Sequence, residues 1–203
     1  MKESFSIKSW CRLTNDQFIC NDELILKKNE EESHSDFLKN IYRKSEANYP
    51  KFFKMDMLCK AAFLATEYIS KKESLFETNT ALLFSNRSSS WNSDEKHANS
   101  IYGEESTASP AVFVYTLPNI AQGEISIRHQ LLSENLFLIF DKFSPEKLEI
   151  YTHQLLKENK AEKVLVGWVE ADENQLDTFI YLIEKEGNTE YNLENITNLY
   201  NIK

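Results

Sequence analysis

Hydrophobic and polar residues follow one another along the chain in patterns that predict both strands and helices. Residues 4–26 alternate between apolar and polar side chains, which predicts two strands joined by a turn at Asn21 and Asp22. The segment Met55–Ser70 repeats apolar residues with a helical period, which predicts a helix with one apolar face. The short apolar run Ala81–Phe84 predicts a buried strand.

The more polar stretches between these segments predict surface structure and further helices. Residues 28–48 are rich in charge, and we expect one short helix there around Phe37–Tyr42. Residues 85–110 form the longest polar stretch, and because long loops without structure are uncommon in compact domains, we expect a helix over Asp94–Ile101. A further helix is predicted over Phe113–His129, with Pro118 near its start.

The last third of the chain alternates between apolar runs and one amphipathic segment. The fully apolar run Leu136–Phe140 predicts a buried strand, and Ser144 followed by Pro145 begins a helix that continues to about Lys160. Two further buried strands are predicted at Lys163–Val169 and Thr178–Glu184. Because strand, helix and strand follow in that order, we expect a parallel pair with a right-handed crossover and an α/β class.

Composition narrows the class of protein without identifying it. The 203 residues predict a single domain over 1–203, and a hydrophobic content of 41% allows a sizeable core. A net charge of −9 argues against a general binder of nucleic acid or anionic membranes. The beginning of the chain has no signal-peptide pattern and no run is long enough to span a membrane, so we expect a cytoplasmic protein.

The residues that commonly carry chemistry form no recognisable site. Three cysteines at irregular spacings, Cys11, Cys20 and Cys59, predict reduced thiols and no metal, and the histidines lack metal-ligand spacing. The serine run 88–90 lacks the glycines and lysine of a phosphate-binding loop. Arg128 and His129 are expected at the surface, where contact with a carrier protein is a conjecture. We expect no cofactor.

Several strings, taken in order, resemble the N-terminal half of β-ketoacyl synthases, which have a thiolase-like fold. The similarity covers most of residues 50–185. In that family, a helix with an asparagine and a glycine leads through a short turn to a strand, and the nucleophilic cysteine follows at the start of the next helix. Asn119 and Gly123 match that helix. The matching strings are YPKFFKMDMLCKAAFLATEYI, SPAVFVYTLPNIAQGEISIRHQLLSENLFLIF and DKFSPEKLEIYTHQLLKENKAEKVLVGWVEA.

The resemblance implies an α/β protein with half of a thiolase-like fold: a mixed, mostly parallel sheet with helices on both faces. Counting back from the strand Val164–Val169, the family nucleophile falls at Phe143. A phenyl ring cannot form a thioester, and the adjacent Ser144 is better explained as a helix N-cap. Glu146 would disfavour a thiolate at that helix end. The family's second half, with the groups that drive decarboxylation, has no counterpart in these residues.

A ketosynthase relative without its cysteine resembles a chain-length factor, the partner subunit that completes the acyl tunnel of an active synthase. The resemblance is to short subunits of this kind from aryl-polyene and flexirubin-type polyketide and fatty acid systems. It implies a heterodimer with a full-length β-ketoacyl synthase and contact with an acyl carrier protein. The expected dimer strand comprises Leu136, Phe137, Leu138, Ile139 and Phe140. The expected tunnel or pocket residues are Tyr115, Pro118, Asn119, Gln122 and Phe143.

Other interpretations of the same sequence stay open. The chain could be an acyltransferase or 3-oxoacyl synthase that uses a residue other than cysteine, or a homodimeric module that binds acyl groups or carrier proteins. The run Leu136–Phe140 could be an ordinary central strand, and Phe143 could be a core residue rather than a plug.

Overall fold

The computed structural model describes residues 4–75, 79–103 and 109–202. The strands are β1 (Ser6–Thr14), β2 (Gln17–Cys20), β3 (Glu23–Lys27), β4 (Thr80–Asn86), β5 (Asn135–Ile139), β6 (Lys163–Ala171), β7 (Leu176–Glu184) and β8 (Thr189–Glu190). The helices are α1 (His34–Ser45), α2 (Met57–Ser70), α3 (Trp91–Tyr102), α4 (Pro110–Phe113), α5 (Ile120–His129), α6 (Pro145–Lys157) and α7 (Leu193–Tyr200). Two 3-10 helices span Pro50–Lys54 and Val114–Thr116.

The strands form one mixed sheet in the order β3-β2-β1-β7-β6-β4-β5, with β8 paired to the start of β1. The α/β class is confirmed, and β5 and β6 are parallel to β4, which lies between them. The expectation of a mostly parallel sheet is wrong, because the other described pairings are antiparallel. The reason is local: β6 and β7 are joined by residues 172–175 alone, and such a short connection permits only a hairpin.

The first three strands form two successive hairpins. The predicted turn at Asn21 and Asp22 is confirmed, and both residues have positive φ, 48° and 64°, a conformation that asparagine and aspartate tolerate. The Asn21 side chain fixes this turn by accepting the Trp10 N–H at 2.7 Å. The sequence pattern missed a second turn between Thr14 and Gln17, so the segment contains three strands rather than two.

Helices cover both faces of the sheet, as predicted. One core lies between the sheet and helices α1, α2 and α5, and the other lies between the sheet and helices α6 and α7. The residues of β4 alternate between the two: Leu82 and Phe84 face the first core, whereas Ala81 and Leu83 face the second. Helix α2 is buried on almost all sides, and the Asp56 carboxylate caps it by accepting the Cys59 N–H at 2.8 Å.

The continuous helix expected over Phe113–His129 is not present. The chain forms α4 and a 3-10 helix, leaves helical geometry at Leu117 with φ −103° and ψ 114°, and begins α5 at Ile120. Pro118 explains the break, because proline lacks the N–H that a helix interior needs and forces the preceding residue towards extended geometry.

Candidate functional site: the β5 edge and the turn that follows it

Strand β5 lies at one edge of the sheet, with β4 as its inner neighbour. The expectation of a fully buried strand is therefore wrong, since Leu136 is 37% exposed and Ile139 is 50% exposed. Phe137 packs against one core and Leu138 against the other. An apolar run predicts that both faces of a strand pack against other residues. It does not predict whether another strand will pair along each side of that strand.

The backbone of β5 presents unpaired polar groups on its outer side. The N–H of Phe140 donates to the carbonyl of Asn86 in β4 at 2.8 Å. Since successive residues of a strand direct their N–H and C=O groups to opposite sides, those of Phe137 and Ile139 point away from β4. No strand of the described segments lies beyond them. Such an edge is a template for pairing with another chain.

The opposite edge of the sheet is protected in a way that β5 is not. Strand β3 begins with Glu23 and ends with Lys27. Charged side chains at an edge discourage strand pairing, whereas Asn135–Ile139 carries no charge. The two edges therefore differ in their capacity to accept a partner strand.

Exposed apolar side chains occur on both helices next to β5. Ile127 projects from α5, Leu132 follows the end of that helix, and Ile150 and Tyr151 project from α6. Tyr151 and Leu136 line a cavity of about 200 Å³ between α6 and the strand. Exposed apolar residues on both sides of an unpaired edge are typical of a protein–protein interface.

The turn between β5 and α6 contains Phe143, the residue that counting back from the strand Val164–Val169 predicts for the nucleophile position of ketosynthases. Its ring packs against Tyr200 of α7, with centroids 4.3 Å apart, and against Phe179 and Trp168 of the sheet at 5.9 and 6.2 Å. Phe143 is half-buried and belongs to the core under α6 and α7. Its contacts are those of a packed core residue.

The start of α6 carries Ser144 and no cysteine. Ser144 occupies the N-cap position as predicted, but its side chain makes no capping hydrogen bond. The three cysteines are buried in β1, β2 and α2. Burial and the nearby Asp56 carboxylate raise the pKa of the Cys59 thiol well above its ordinary value, which is the opposite of what a nucleophilic cysteine requires.

The four remaining candidate tunnel residues do not share one helix face. Tyr115 lies in the 3-10 helix and is buried in the core against α2, and burial raises the pKa of its hydroxyl. Pro118 is half-buried in the break before α5, and Asn119 is exposed at the N-cap of α5. None of the four lines the cavity beside β5. The structure therefore separates residues that the predicted single helix would have grouped.

Gln122 is the candidate residue with a direct link to β5. It is buried, and its Nε2 donates to the carbonyl of Leu82 in β4 at 3.0 Å and to that of Leu136 in β5 at 2.9 Å. The side chain thus joins α5 to the two outermost strands at this edge.

Comparison with known proteins gives a match in structure but none in sequence. No protein-family model and no curated protein sequence matches the chain. It resembles the ishigamide ketosynthase/chain length factor with a TM-score of 0.65 and 15% identity, covering 89% of this chain and 62% of the other. The complex of the ketosynthase ApeO with its chain length factor ApeC from Xenorhabdus doucetiae gives a TM-score of 0.59 and 13% identity, with coverages of 92% and 81%.

A third match is the ketosynthase AntDE in complex with the acyl-carrier protein AntF, with a TM-score of 0.60, 12% identity and coverages of 91% and 63%. The chain has a thiolase-like fold. The predicted resemblance to ketosynthases and chain-length factors is confirmed at the level of the fold, which is what a likeness at 12–15% identity can show. The chain spans 62% of the length of the ishigamide protein.

A second cavity of this thiolase-like fold, about 230 Å³ in volume, lies where β4 and β6 end. The buried Glu170 accepts hydrogen bonds from the N–H groups of Arg87 and Ser88 and from the Ser88 hydroxyl. These backbone donors could hold an external anion, but the protein's own carboxylate occupies them. The serine run is thus part of a turn fixed by Glu170, and no sequence signal linked two residues so far apart.

Arg128 and His129 do not form the exposed pair that the sequence suggested. Arg128 donates from Nε and Nη2 to the buried Glu67 carboxylate of α2 at 2.9 and 3.2 Å, and His129 Nε2 lies 3.0 Å from the same carboxylate. Burial raises the pKa of Glu67, but the hydrogen bonds from His129 and Arg128 outweigh it and hold that pKa below its ordinary value. This cluster fastens α5 to α2.

Within residues 4–75, 79–103 and 109–202, the thiolase-like fold contains no group of three or more side chains arranged to hold a metal ion. No helix in the same segments is long and apolar enough to span a membrane.

Proposed function

We propose that this chain is a chain-length-factor-like subunit that pairs through β5 with a full-length β-ketoacyl synthase and shapes its acyl tunnel. The observation that carries the proposal is the uncharged, unpaired edge of β5, which is followed by a turn that contains Phe143 and no cysteine. The likeness to complexes of ketosynthases with chain length factors supports the same assignment.

The chemistry of condensation explains why such a subunit would not act alone. A Claisen condensation needs a thiolate of lowered pKa at a helix N-terminus and hydrogen-bond donors directed at the developing oxyanion. Phe143 supplies no thiolate, and the nearby Glu146 places a negative charge in the first turn of α6. The partner synthase would therefore supply the nucleophile.

The tunnel residues belong to the proposal as well. Gln122 contacts the backbone of β5, so its helix would lie next to the partner across the edge. Pro118 and Asn119 precede Gln122 on the same connection and would extend the wall on this subunit's side, whereas Tyr115 is buried in the subunit's own core. A polyketide or fatty acid product of the aryl-polyene kind, delivery by an acyl carrier protein and a cytoplasmic location are part of the same proposal.

The test is co-expression of the tagged chain with an untagged full-length ketosynthase, followed by affinity capture and gel filtration. We expect a one-to-one complex, and condensing activity only when both chains are present. If the chain runs as a monomer or homodimer and leaves the ketosynthase unbound and its activity unchanged, the proposal is wrong. A homodimer in that experiment would favour the acyl-binding module instead.

The two sheet edges provide a matched pair of variants for the interface. Ile139→Asp places a charge on β5, and Leu24→Asp places one at a residue of similar exposure on β3, 50% against 52%. We expect Ile139→Asp to weaken complex formation at least 100-fold, because a desolvated unpaired charge costs several kcal/mol, and Leu24→Asp to leave it unchanged. Equal effects of the two variants would contradict pairing through β5.

A further inference from the structure

Two of the three cysteines face each other across the first hairpin. Cys11 in β1 and Cys20 in β2 are direct partners in the antiparallel pairing of these strands. Directly opposed residues of an antiparallel pair project from the same face of the sheet with their Cβ atoms about 4.5–5.5 Å apart. The sequence spacing of the cysteines gave no sign of this contact, which depends on the turn after Thr14.

The position of the pair within the ladder suits a covalent link. The N–H of Asn21 donates to the carbonyl of Trp10 at 3.0 Å, so the next pair, Cys11 with Cys20, occupies a non-hydrogen-bonded position. Facing Cα atoms at such positions are about 4.5 Å apart, which falls inside the range that a disulfide spans. The hairpin therefore needs no large backbone movement to accept the bond.

The chemical surroundings distinguish the two thiols. Both side chains are fully buried against α2. The Cys11 thiol donates a hydrogen bond to the Cys20 sulfur, and this bond, opposed in part by burial and assisted by Lys72, lowers the pKa of Cys20. Burial and the same hydrogen bond raise the pKa of Cys11 well above its ordinary value. Cys20 lies on β2, which is nearer the edge of the sheet than β1, so local opening of the hairpin exposes Cys20 first.

We propose that Cys11 and Cys20 are a reversible disulfide pair that closes when the folded protein meets a small-molecule disulfide such as oxidised glutathione. The Cys20 thiolate attacks one sulfur of that disulfide and releases one glutathione thiolate. The Cys11 thiolate then attacks Cys20 in the mixed disulfide and releases the second. Two protons from the protein thiols pass to the two glutathiones, so the oxidant is reduced and one protein disulfide is formed.

Access to the buried pair comes from the outer position of the hairpin. Strands β2 and β3 lie at the edge of the sheet, where local opening requires less free energy than global unfolding. The bond would fasten β2 to β1, the strand that joins the hairpin to the rest of the sheet. The hairpin of β1 and β2 lies on the side of the sheet away from β5, so the disulfide would form whether or not β5 pairs with a synthase.

The experiment is incubation of the folded chain with oxidised glutathione, then unfolding in an alkylating reagent, intact-mass measurement and peptide mapping. We expect a mass loss of two hydrogens, one Cys11–Cys20 link, alkylation of Cys59 alone, and full reversal by dithiothreitol. The oxidised protein should melt about 5 °C higher, because a cross-link restricts the unfolded chain. Three alkylated thiols, a link to Cys59, or a persistent glutathione adduct without ring closure would overturn the proposal.

Single variants assign the roles of the two thiols. Cys11→Ala should stop the reaction at a glutathione adduct on Cys20, and Cys20→Ala should leave Cys11 unmodified. Cys59→Ala is the matched control, since it removes an equally buried thiol and should leave the link intact. Because the mass measurement on the unmodified chain is decisive by itself, a variant that fails to fold does not affect the outcome.

Discussion

The buried carboxylate of Glu67 allows the contact between α2 and α5 to be tested quantitatively. The change Glu67→Gln keeps the size of the side chain and removes its charge. Glu67 is 6% exposed and accepts two hydrogen bonds from Arg128, whose side chain is 29% exposed. His129 lies against the same carboxylate.

The expected loss follows from these contacts. Hydrogen bonds to charged groups contribute about 1.5–3 kcal/mol each, so removal of the carboxylate affects about 3–6 kcal/mol of interaction. The loss is smaller than that, because the amide oxygen of glutamine still accepts one bond and the partly exposed Arg128 recovers water. We expect Glu67→Gln to lower the free energy of unfolding by about 2 kcal/mol at pH 7.

The stability contributed by Glu67 should decrease as the pH falls. The pKa of Glu67 is lower in the folded protein than in the unfolded chain, where a glutamate titrates near about 4.3. Its stabilising contribution is therefore fully present above that value and is lost as the pH falls through the folded pKa. The difference between the unmodified chain and the variant should be smaller at pH 4 than at pH 7 by a few tenths of a kcal/mol, on the order of 0.5 kcal/mol at most.

Urea unfolding followed by far-UV circular dichroism at pH 7, 5 and 4 measures both quantities. Glu173→Gln is the control, because Glu173 forms an exposed ion pair with Lys96 and its loss should change stability by less than about 0.5 kcal/mol. A Glu67→Gln effect below the control, or one that stays the same between pH 7 and pH 4, would refute the reasoning.

Two further predictions concern packing, and urea unfolding measures both. Gly167→Ala should destabilise by about 1–3 kcal/mol, because its Cβ would lie 2.9 Å from Phe84. Gly123→Ala should stabilise by about 0.5–1 kcal/mol, because its Cβ would lie 3.8 Å from the Ile120 side chain; the reverse order would contradict this packing. Phe143→Ala should destabilise by about 2 kcal/mol through loss of the contact with Tyr200, and a loss below about 0.5 kcal/mol would show that the ring is not packed.

The sequence predicted best those elements whose hydrophobic pattern can be recognised within the element itself, over a few helical turns or a single strand. The helical period over Met55–Ser70 is confirmed by α2, and the apolar runs are confirmed as β4, β6 and β7. These segments are buried on most sides, so local hydrophobicity and burial agree. Their neighbours in the sheet were not predictable in the same way, because pairing depends on connections elsewhere.

The elements that were missed depend on a single residue or on a weak pattern. Pro118 divides a segment whose apolar spacing continues across it. Helix α7 lies in a polar tail, and Ile196 is the only buried residue within the helix itself. Its clearest local signal is Asn192, which caps the helix by accepting the Asn195 N–H. Because the tail is polar on average, its pattern did not predict α7, although Ile196 of that helix belongs to the core under α6 and α7.

The surroundings of Phe143 join the turn after β5 to helix α7 and to the sheet. Tyr200 packs on its ring and donates to Asp177 at 2.7 Å, and Asp177 is paired with Arg12 at 2.6 Å. The α7 helix, the sheet and the turn are thus fastened together around an aromatic cluster. A thiol at this position would face the rings of Tyr200 and Phe179, and apolar surroundings raise the pKa of a thiol. Aromatic packing therefore holds the turn after β5, and the surroundings of Phe143 would not activate a thiol placed there.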